Sequence, residues 1–163
     1  MSKFSIEFKW AIIFVLCSLL WMVFEKSMGW HDELIDIQPI YTNLFAIIAI
    51  AIFVIALKDK KENFFNGNMT WTQGFLSGVI LTIIITLLSP LSQYITHTYI
   101  TPNYFRNAIN HTDNHNVYSR EQAEAFFNLK SYIIQACLAG LSMGVVTSAI
   151  VSLFVRSKPI KTI

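Results

Sequence analysis

Charged side chains are scarce in this chain. Asp, Glu, Lys and Arg together make up 13% of its 163 residues, against roughly 25% in soluble domains. Hydrophobic residues make up 54%, and a soluble protein of this size lacks the interior volume to bury that much apolar surface. The shortage of charge therefore excludes an ordinary soluble domain. The net charge of +2 is also too small to indicate nucleic-acid binding.

Recognisable catalytic and metal-binding motifs are missing too. The sequence contains no His-Glu-x-x-His, no Gly-x-Ser-x-Gly and no glycine-rich phosphate loop. Its two cysteines, Cys17 and Cys137, lie inside apolar stretches, so we interpret them as small buried hydrophobic residues and not as a disulfide. We predict no catalytic residue, no cofactor and no metal site, and the missing motifs favour a protein that is not an enzyme.

The hydrophobic residues are concentrated in four long apolar runs: Trp10–Phe24, Ile40–Leu57, Phe75–Leu91 and Tyr132–Val155. A helix needs about 17–25 mostly apolar residues to cross the roughly 30 Å hydrocarbon core of a bilayer. The sequence therefore predicts an all-α membrane protein, a four-transmembrane-helix bundle formed by one integral membrane domain over residues 1–163. With flanking helical residues included, the predicted spans cover about residues 8–28, 39–57, 72–99 and 130–155.

The basic residues predict how the spans are oriented. If both termini lie on the same side, that side carries Lys3, Lys9, Lys58, Lys60, Lys61, Arg156, Lys158 and Lys161. The opposite side then carries only Lys26, Arg106, Arg120 and Lys130. Lys and Arg near span ends favour the cytoplasm, so we predict cytoplasmic termini and call the opposite side outer.

The connection between the third and fourth spans is predicted to be a helical insertion over about residues 101–130. Thr101-Pro102 is typical of a helix start, and a short helix is expected to run to about Ile109, followed by a polar loop at Asn110–Asn116. Ser119–Gln122 has the sequence of a capping box, from which a helix is expected to continue unbroken to Phe154. The third and fourth helices would then extend into an outer helical cap.

Two further signals concern the third span. Thr70–Gln73 is also a capping-box sequence and predicts where this helix begins. Pro90 removes a backbone hydrogen bond within the same span, which predicts a kink there.

Small residues recur at four-residue intervals in the third and fourth predicted spans. This spacing lets helix backbones approach closely in a membrane. We predict a packing seam between these two spans of one chain, with a homodimer interface as the alternative. The predicted seam consists of Gly74, Gly78, Ala136, Gly140, Gly144 and Ser148.

Polar side chains also occur in the outer halves of all four predicted spans. Ionisable and amide groups are costly in the acyl region unless they find a partner or water, so we predict a polar cleft that opens outward. Its predicted residues are Glu25, Asn43, Gln93, Tyr94, His97 and Gln135. Glu25 and His97 are the expected titrating pair; alternatively, Glu25 reaches interfacial water and pairs with Lys26 or Lys130. The remaining histidines are interpreted as surface residues: His31, His111 and His115.

Several strings in the chain resemble a known family of small bacterial membrane proteins. They are Leu20-Trp21-Met22, Glu25-Lys26, His31-Asp32, Ile40–Phe45, Met69-Thr70-Trp71, Gln73-Gly74-Phe75, Ser89–Tyr94 and Ala125–Lys130. The chain resembles domain of unknown function 4199 over nearly its whole length. The resemblance implies a four-span inner-membrane protein of a Gram-negative bacterium, and it implies no activity, substrate or site.

Three functional hypotheses follow. The favoured one is a non-enzymatic envelope component, an accessory or scaffold subunit in the lipid bilayer whose outer cap contacts another envelope protein or lipid headgroups. The alternative is a small solute or proton-coupled transporter that uses Glu25, Gln93 and His97, and the third is a lipid-modifying enzyme at Ser92 and His97. Convergence of Glu25, Gln93 and His97 on one cavity would favour transport, whereas scatter would favour a scaffold.

Overall fold

The computed structural model describes residues 3–114 and 119–157. His115 and Asn116 of the predicted loop, and the basic residues Lys158 and Lys161, lie outside the described residues. Within those residues the chain forms seven α-helices: α1 (Ser5–Ser27), α2 (Gln38–Tyr41), α3 (Phe45–Asn63), α4 (Trp71–Ile95), α5 (Tyr104–Asn114), α6 (Arg120–Phe126) and α7 (Leu129–Val155).

Four helical segments are long and apolar enough to cross a membrane. They are Ser5–Ser27, Gln38–Asn63, Trp71–Ile100 and Leu129–Val155. A 3₁₀ turn at Thr42–Leu44 joins α2 to α3 within the second segment, and a π-helical turn at Thr96–Ile100 extends α4 within the third. The predicted all-α four-helix membrane bundle is thereby confirmed, and the protein is a multi-pass membrane protein.

Both predicted capping boxes are present. Before α4, the Thr70 backbone N–H donates to Gln73 Oε1 at 2.8 Å, and the Gln73 N–H donates to Thr70 Oγ1 at 3.3 Å. Before α6, Ser119 and Gln122 make the same reciprocal pair at 3.1 and 3.3 Å. Each box satisfies backbone donors that the first turn of a helix leaves unpaired, which explains why both helices begin where they do.

The prediction of an unbroken helix from Ser119 to Phe154 is wrong. The helix is interrupted at Phe127 and Asn128, between α6 and α7, and Phe127 has the non-helical angles φ −88° and ψ 75°. Asn128 Oδ1 accepts the backbone N–H of Ser131 at 2.9 Å. The asparagine side chain therefore caps a new helix, a role in which Asn is preferred to the helix interior.

The predicted bounds of the preceding helix are also wrong. Helix α5 begins at Tyr104 and continues to Asn114, so the first part of the predicted polar loop is helical. Thr101 is not its N-cap, because the helix begins three residues later and the Thr101 hydroxyl donates to the Thr96 carbonyl at 3.3 Å. The Thr101 N–H donates to the same carbonyl at 2.7 Å and closes the π-helical turn. The polar composition of this stretch predicted a loop, but a helix tolerates polar residues where one face stays exposed. Buried Ala108 and Thr112 mark the packed face.

The chain divides into two compact units. Unit 1 contains the N-terminal residues to Phe14, Ile47–Thr86 and the residues from Ala139 onward, and unit 2 contains Val15–Ala46 and Leu87–Leu138. Within unit 1, helices α4 and α7 meet at small residues. A methyl group added to Gly78 would lie 2.6 Å from Ser148 Cβ, and one added to Gly144 would lie 2.4 Å from Thr82 Cγ2. Only glycine fits this closely at both positions.

The other predicted seam residues differ in how closely they are packed. A methyl group on Gly74 would lie 3.1 Å from Ser152 Oγ, whereas one on Gly140 would find only Thr86 Oγ1 at 3.8 Å. Ala136 falls in unit 2 and is half-buried. The close glycine contacts of the seam therefore lie in unit 1. Pro90 lies within α4, which continues to Ile95, and the kink there remains a prediction.

Candidate functional site

A fully buried carboxylate lies near the end of α1 in unit 2. Glu25 has no solvent-exposed surface. Its Oε1 accepts the indole N–H of Trp21 at 2.5 Å, and its Oε2 lies 2.8 Å from His31 Nε2. Gln38 Nε2 donates to the same Oε2 at 3.4 Å. A buried carboxylate is costly unless it is hydrogen-bonded, and these three side chains lie at hydrogen-bond distance from Glu25.

His31 reaches Glu25 because the chain reverses directly after α1. The Trp30 N–H donates to the Glu25 carbonyl at 3.1 Å, and the Gly29 N–H donates to the Lys26 carbonyl at 3.0 Å. This is the Schellman pattern of a helix C-terminus, which needs a left-handed residue, and Gly29 supplies it with φ +76°. The turn folds His31 back beneath the last turn of α1, where it is 3% exposed.

The interpretation of His31 as a surface residue is therefore wrong. The predicted Glu25–His97 pair is wrong as well, because the imidazole that contacts Glu25 belongs to His31. The alternative in which Glu25 reaches water also fails, because Glu25 is fully buried. The local signal for this arrangement in the sequence was Gly29, which comes after the first apolar run and directly before Trp30 and His31.

The second histidine of unit 2 lies in the π-helical turn. His97 Nε2 is 3.1 Å from Gln93 Oε1, so two of the predicted cleft residues contact each other. The His97 ring stacks on the Phe105 ring with 4.2 Å between their centroids, and the Tyr132 ring lies edge-on to it at a centroid distance of 5.3 Å. His97 is thus held mainly by aromatic rings. A π-helical turn inside an α-helix is frequently found at functional sites.

Tyr104 of α5 lies between the two imidazoles. Its ring centroid is 5.2 Å from that of His31 and 5.5 Å from that of His97. Its hydroxyl is 3.1 Å from the Tyr132 hydroxyl and donates to Gln38 Oε1 at 3.4 Å. Burial raises the pKa of Tyr104; the Tyr132 hydrogen bond opposes this in part, and the negative charge of Glu25 adds a smaller further rise. Tyr104 therefore remains a neutral hydrogen-bond donor at physiological pH.

A small cavity of about 60 Å³ adjoins this network. Its lining residues are Lys26, His31, Asp32, Thr101, Pro102, Asn103 and Tyr104. His31 Nδ1 is buried and has no hydrogen-bond partner among the described residues. The cavity thus adjoins a histidine that has one ring nitrogen on a carboxylate and the other unpaired.

Three predicted cleft residues lie apart from this network. Asn43 is exposed and donates to the Pro39 carbonyl at 2.6 Å. Gln135 is exposed and donates to Ser131 Oγ at 2.9 Å. Tyr94 is 46% exposed. The first two amides are thus used within their own helical segments, and the six predicted residues do not converge on one cavity.

Sequence reasoning missed a second buried ionic cluster, which lies in unit 1. Glu7 and Lys60 are 3% and 4% exposed, and Lys60 Nζ lies 2.9 Å from Glu7 Oε1. Ser77 Oγ donates to the same oxygen at 2.6 Å, and Lys60 Nζ also donates to the Lys3 carbonyl at 2.6 Å. Glu7 precedes the first apolar run, so it was not counted as part of a span. The signal available in the sequence was the cluster of basic residues between the second and third spans, because this connection is predicted to lie on the same side of the membrane as Glu7.

The chemistry available in unit 2 is proton exchange and hydrogen bonding. Among residues 3–114 and 119–157, no three His, Cys, Asp or Glu side chains are placed to hold a metal ion. An imidazole and a carboxylate in contact can share and exchange protons. No activated nucleophile accompanies them in the contacts described for this site.

Comparison with known proteins places the chain in a family. Searches among curated proteins and among solved structures found no match. Residues 9–157 match the family described as Protein of unknown function (DUF4199). Because this match covers most of the chain, the protein belongs to the DUF4199 family.

Proposed function

We propose that this protein is a non-enzymatic component of the bacterial inner membrane that binds another envelope protein through α6. In this proposal both termini lie in the cytoplasm, as the distribution of Lys and Arg favours, and α5 and α6 lie on the outer side. The observation that carries the proposal is the exposure of α6, in which Ala123 is the only buried residue.

Helix α5 gives α6 a firm support within unit 2. The two helices pack on each other. Asn107 Nδ2 of α5 donates to the His31 carbonyl at 3.0 Å and to Asp32 Oδ1 at 2.7 Å, while Tyr104 and Ala108 are buried. A binding surface that is already ordered loses less conformational entropy when it binds a partner.

The chemistry of α6 suits a protein partner better than lipid headgroups. Arg120 Nε donates to Glu124 Oε1 at 3.1 Å, and the two side chains are 62% and 57% exposed. Glu121 is exposed, and Phe126 is 44% exposed. Anionic lipid recognition uses clusters of four to eight basic residues, whereas mixed charge beside an aromatic side chain is typical of protein interfaces.

Site-specific photocrosslinking in living cells tests the proposal. A photoreactive residue at Phe126 should give one defined protein adduct, and Glu121→Lys in the same chain should reduce its yield severalfold, because it reverses one exposed charge of α6. A photoreactive residue at Leu87, which is 75% exposed on the apolar α4, is the matched control and should crosslink mainly to lipid. The absence of a Phe126 adduct, or the same adduct from Leu87, would contradict the proposal.

A proton-coupled carrier is the second candidate, and the buried Glu25–His31 contact favours it. Ionisable groups buried within transmembrane segments are often functional. The test is solute flux into liposomes under an imposed pH gradient. If the protein is a carrier, Glu25→Gln should abolish a flux that the unaltered protein shows; an equal flux in both would rule out this role for Glu25.

A further inference from the structure

We propose that unit 1 binds an anionic phospholipid at the end where α1 begins and α3 and α7 end, which we call its inner end. Four basic residues, the inner basic cluster, hold the phosphate of the headgroup: Lys3, Lys58, Lys61 and Arg156. This inference is independent of the partner-binding proposal, because it concerns unit 1 and not the surface of α6 in unit 2. The ligand is a lipid with net negative charge, taken from the surrounding bilayer.

The ends of α3 and α7 bring three members of the cluster together. Lys61 Nζ of α3 donates to the Val155 carbonyl at 3.0 Å. Val155 is the last residue of α7, and Arg156 follows it directly. Lys58 lies three residues before Lys61 on α3, and side chains at this spacing share one face of a helix. Lys58, Lys61 and Arg156 therefore form one basic surface.

The start of the chain supplies the fourth member. Lys60 Nζ donates to the Lys3 carbonyl at 2.6 Å, so the backbone of Lys3 lies against the last turn of α3. The Lys60 side chain is buried on Glu7, whereas Lys3 is exposed. Its Nζ lies 5.7 Å from the centroid of the Phe4 ring. A long basic side chain of this kind rests its stem on apolar surface and extends its charge to a headgroup.

The cluster carries positive charge that the protein does not balance. At the same end, Glu7 pairs with Lys60, and Asp59 pairs with Lys9. The four cluster members make no ion pair with a carboxylate within residues 3–114 and 119–157. Exposed Glu62 of α3 opposes them with one negative charge. The remaining positive charge attracts an anion, and clusters of four to eight basic residues next to a membrane span are typical of anionic-lipid recognition.

Exposed apolar side chains adjoin the cluster on the membrane side. Phe154, two residues before Arg156, is 83% exposed, and Leu153 is exposed as well. On α3, Ile55 is exposed one turn before Lys58. A phospholipid held by its phosphate at the cluster would lay its acyl chains against these side chains. Free phosphate or an acidic peptide would use the charges and leave the apolar surface unused, so the pattern favours a lipid.

Photocrosslinking in nanodiscs made of equal amounts of phosphatidylglycerol and phosphatidylcholine tests the site. A photoreactive residue replaces Phe154 in the full chain, and mass spectrometry measures the ratio of the two lipids among its adducts. We expect a severalfold excess of phosphatidylglycerol. A photoreactive residue at Leu87, which is exposed on α4 in unit 2, is the control and should give the ratio of the bilayer. Inorganic phosphate added at constant ionic strength should leave the excess unchanged.

Glutamine substitutions separate the charge of the cluster from a structural role. Arg156→Gln and Lys58→Gln should each lower the excess by up to about fivefold, the effect of one basic residue near an anionic surface, whereas Arg156→Lys should retain it. Both side chains are exposed and make no hydrogen bond to the described part of the chain, so these variants are expected to fold. Lys130→Gln is the matched control, because Lys130 is an exposed lysine at the other end of α7, and it should leave the ratio unchanged.

Several outcomes would overturn the proposal. They are an equal lipid ratio at Phe154 and Leu87, an unchanged excess when both glutamine substitutions are combined, and an equal loss in Lys130→Gln. Displacement of the lipid by inorganic phosphate, or a protein adduct in place of the lipid adduct at Phe154 in living cells, would overturn it in favour of a free-phosphate or an acidic-protein site. The Phe126 crosslink is unaffected by these outcomes, so the two proposals fail separately.

Discussion

Gly144→Ala tests the close contact between α4 and α7 in unit 1. The added methyl group would lie 2.4 Å from Thr82 Cγ2 and 2.5 Å from Thr82 Oγ1, far inside the 3.5–4.0 Å of a favourable contact. Thr82 is 2% exposed, and its hydroxyl donates to the Gly78 carbonyl at 2.9 Å. The side chain therefore cannot move away without breaking that bond, and the helices must separate.

Gly140→Ala is the matched control, one helical turn away on α7. Its methyl group would meet only Thr86 Oγ1, at 3.8 Å. Both substitutions remove the same glycine from the interior of one helix, which by itself stabilises by roughly 0.5–1 kcal/mol. That gain cancels in the comparison. What remains is the overpacking cost, about 1–3 kcal/mol, by which Gly144→Ala should be less stable than Gly140→Ala.

Reversible unfolding in mixed detergent micelles is the suitable assay, with helicity measured against the fraction of SDS. The difference corresponds to a roughly 5- to 150-fold lower folding equilibrium constant for Gly144→Ala, since about 1.4 kcal/mol is a factor of ten. Equal stability of the two variants, or a more stable Gly144→Ala, would refute the close helix contact. The homodimer alternative is checked in the same samples, because Gly144→Ala would then lower the dimer fraction and leave the unfolding of the monomer unchanged.

Three further predictions concern buried polar groups. Glu7→Gln should lower the free energy of unfolding by about 3–5 kcal/mol, because it leaves the Lys60 ammonium buried without its carboxylate, and adding Lys60→Met should restore part of this loss in the same SDS assay. Asn128→Ala should cost about 1 kcal/mol in that assay, because it removes the cap at the start of α7, and an unchanged midpoint would contradict this role. The pKa of Tyr104 is raised in the folded protein. The contribution of this neutral tyrosine to stability is therefore complete below about pH 10, the pKa of an unfolded tyrosine, and is lost as the pH rises further. Tyr104→Phe should make thermal stability fall less steeply above pH 10, and an identical slope would contradict the burial of this hydroxyl.

Local features of the sequence were sufficient for the membrane fold. The hydrophobicity of an apolar run is the sum over its residues. A run that is long enough to cross lipid forms a helix, because a helix pairs its backbone N–H and C=O groups internally. The two capping boxes, at Thr70–Gln73 and Ser119–Gln122, were equally readable, because each involves residues only three positions apart. The spans and these two helix starts could therefore be predicted from residues that are close together in the sequence.

The candidate site could be predicted only in part. Glu25 was expected to need a polar partner because of its position at the end of an apolar run, and it has one. The partner predicted for it was His97, which is wrong. The predicted depth of a residue in the membrane does not show which imidazole a turn brings close to Glu25. The Schellman turn at Gly29 decides this in favour of His31.

The sequence by itself determined that this chain is an all-α membrane protein with four spans, because solvent preference is a property of each residue and its near neighbours. Only the tertiary structure decided which buried ionisable side chains meet: Glu25 with His31, and Glu7 with Lys60 across 53 positions of the chain. A buried ion pair requires two side chains to meet within about 3 Å, and that geometry is fixed by turns and helix packing, which residue identity alone does not specify.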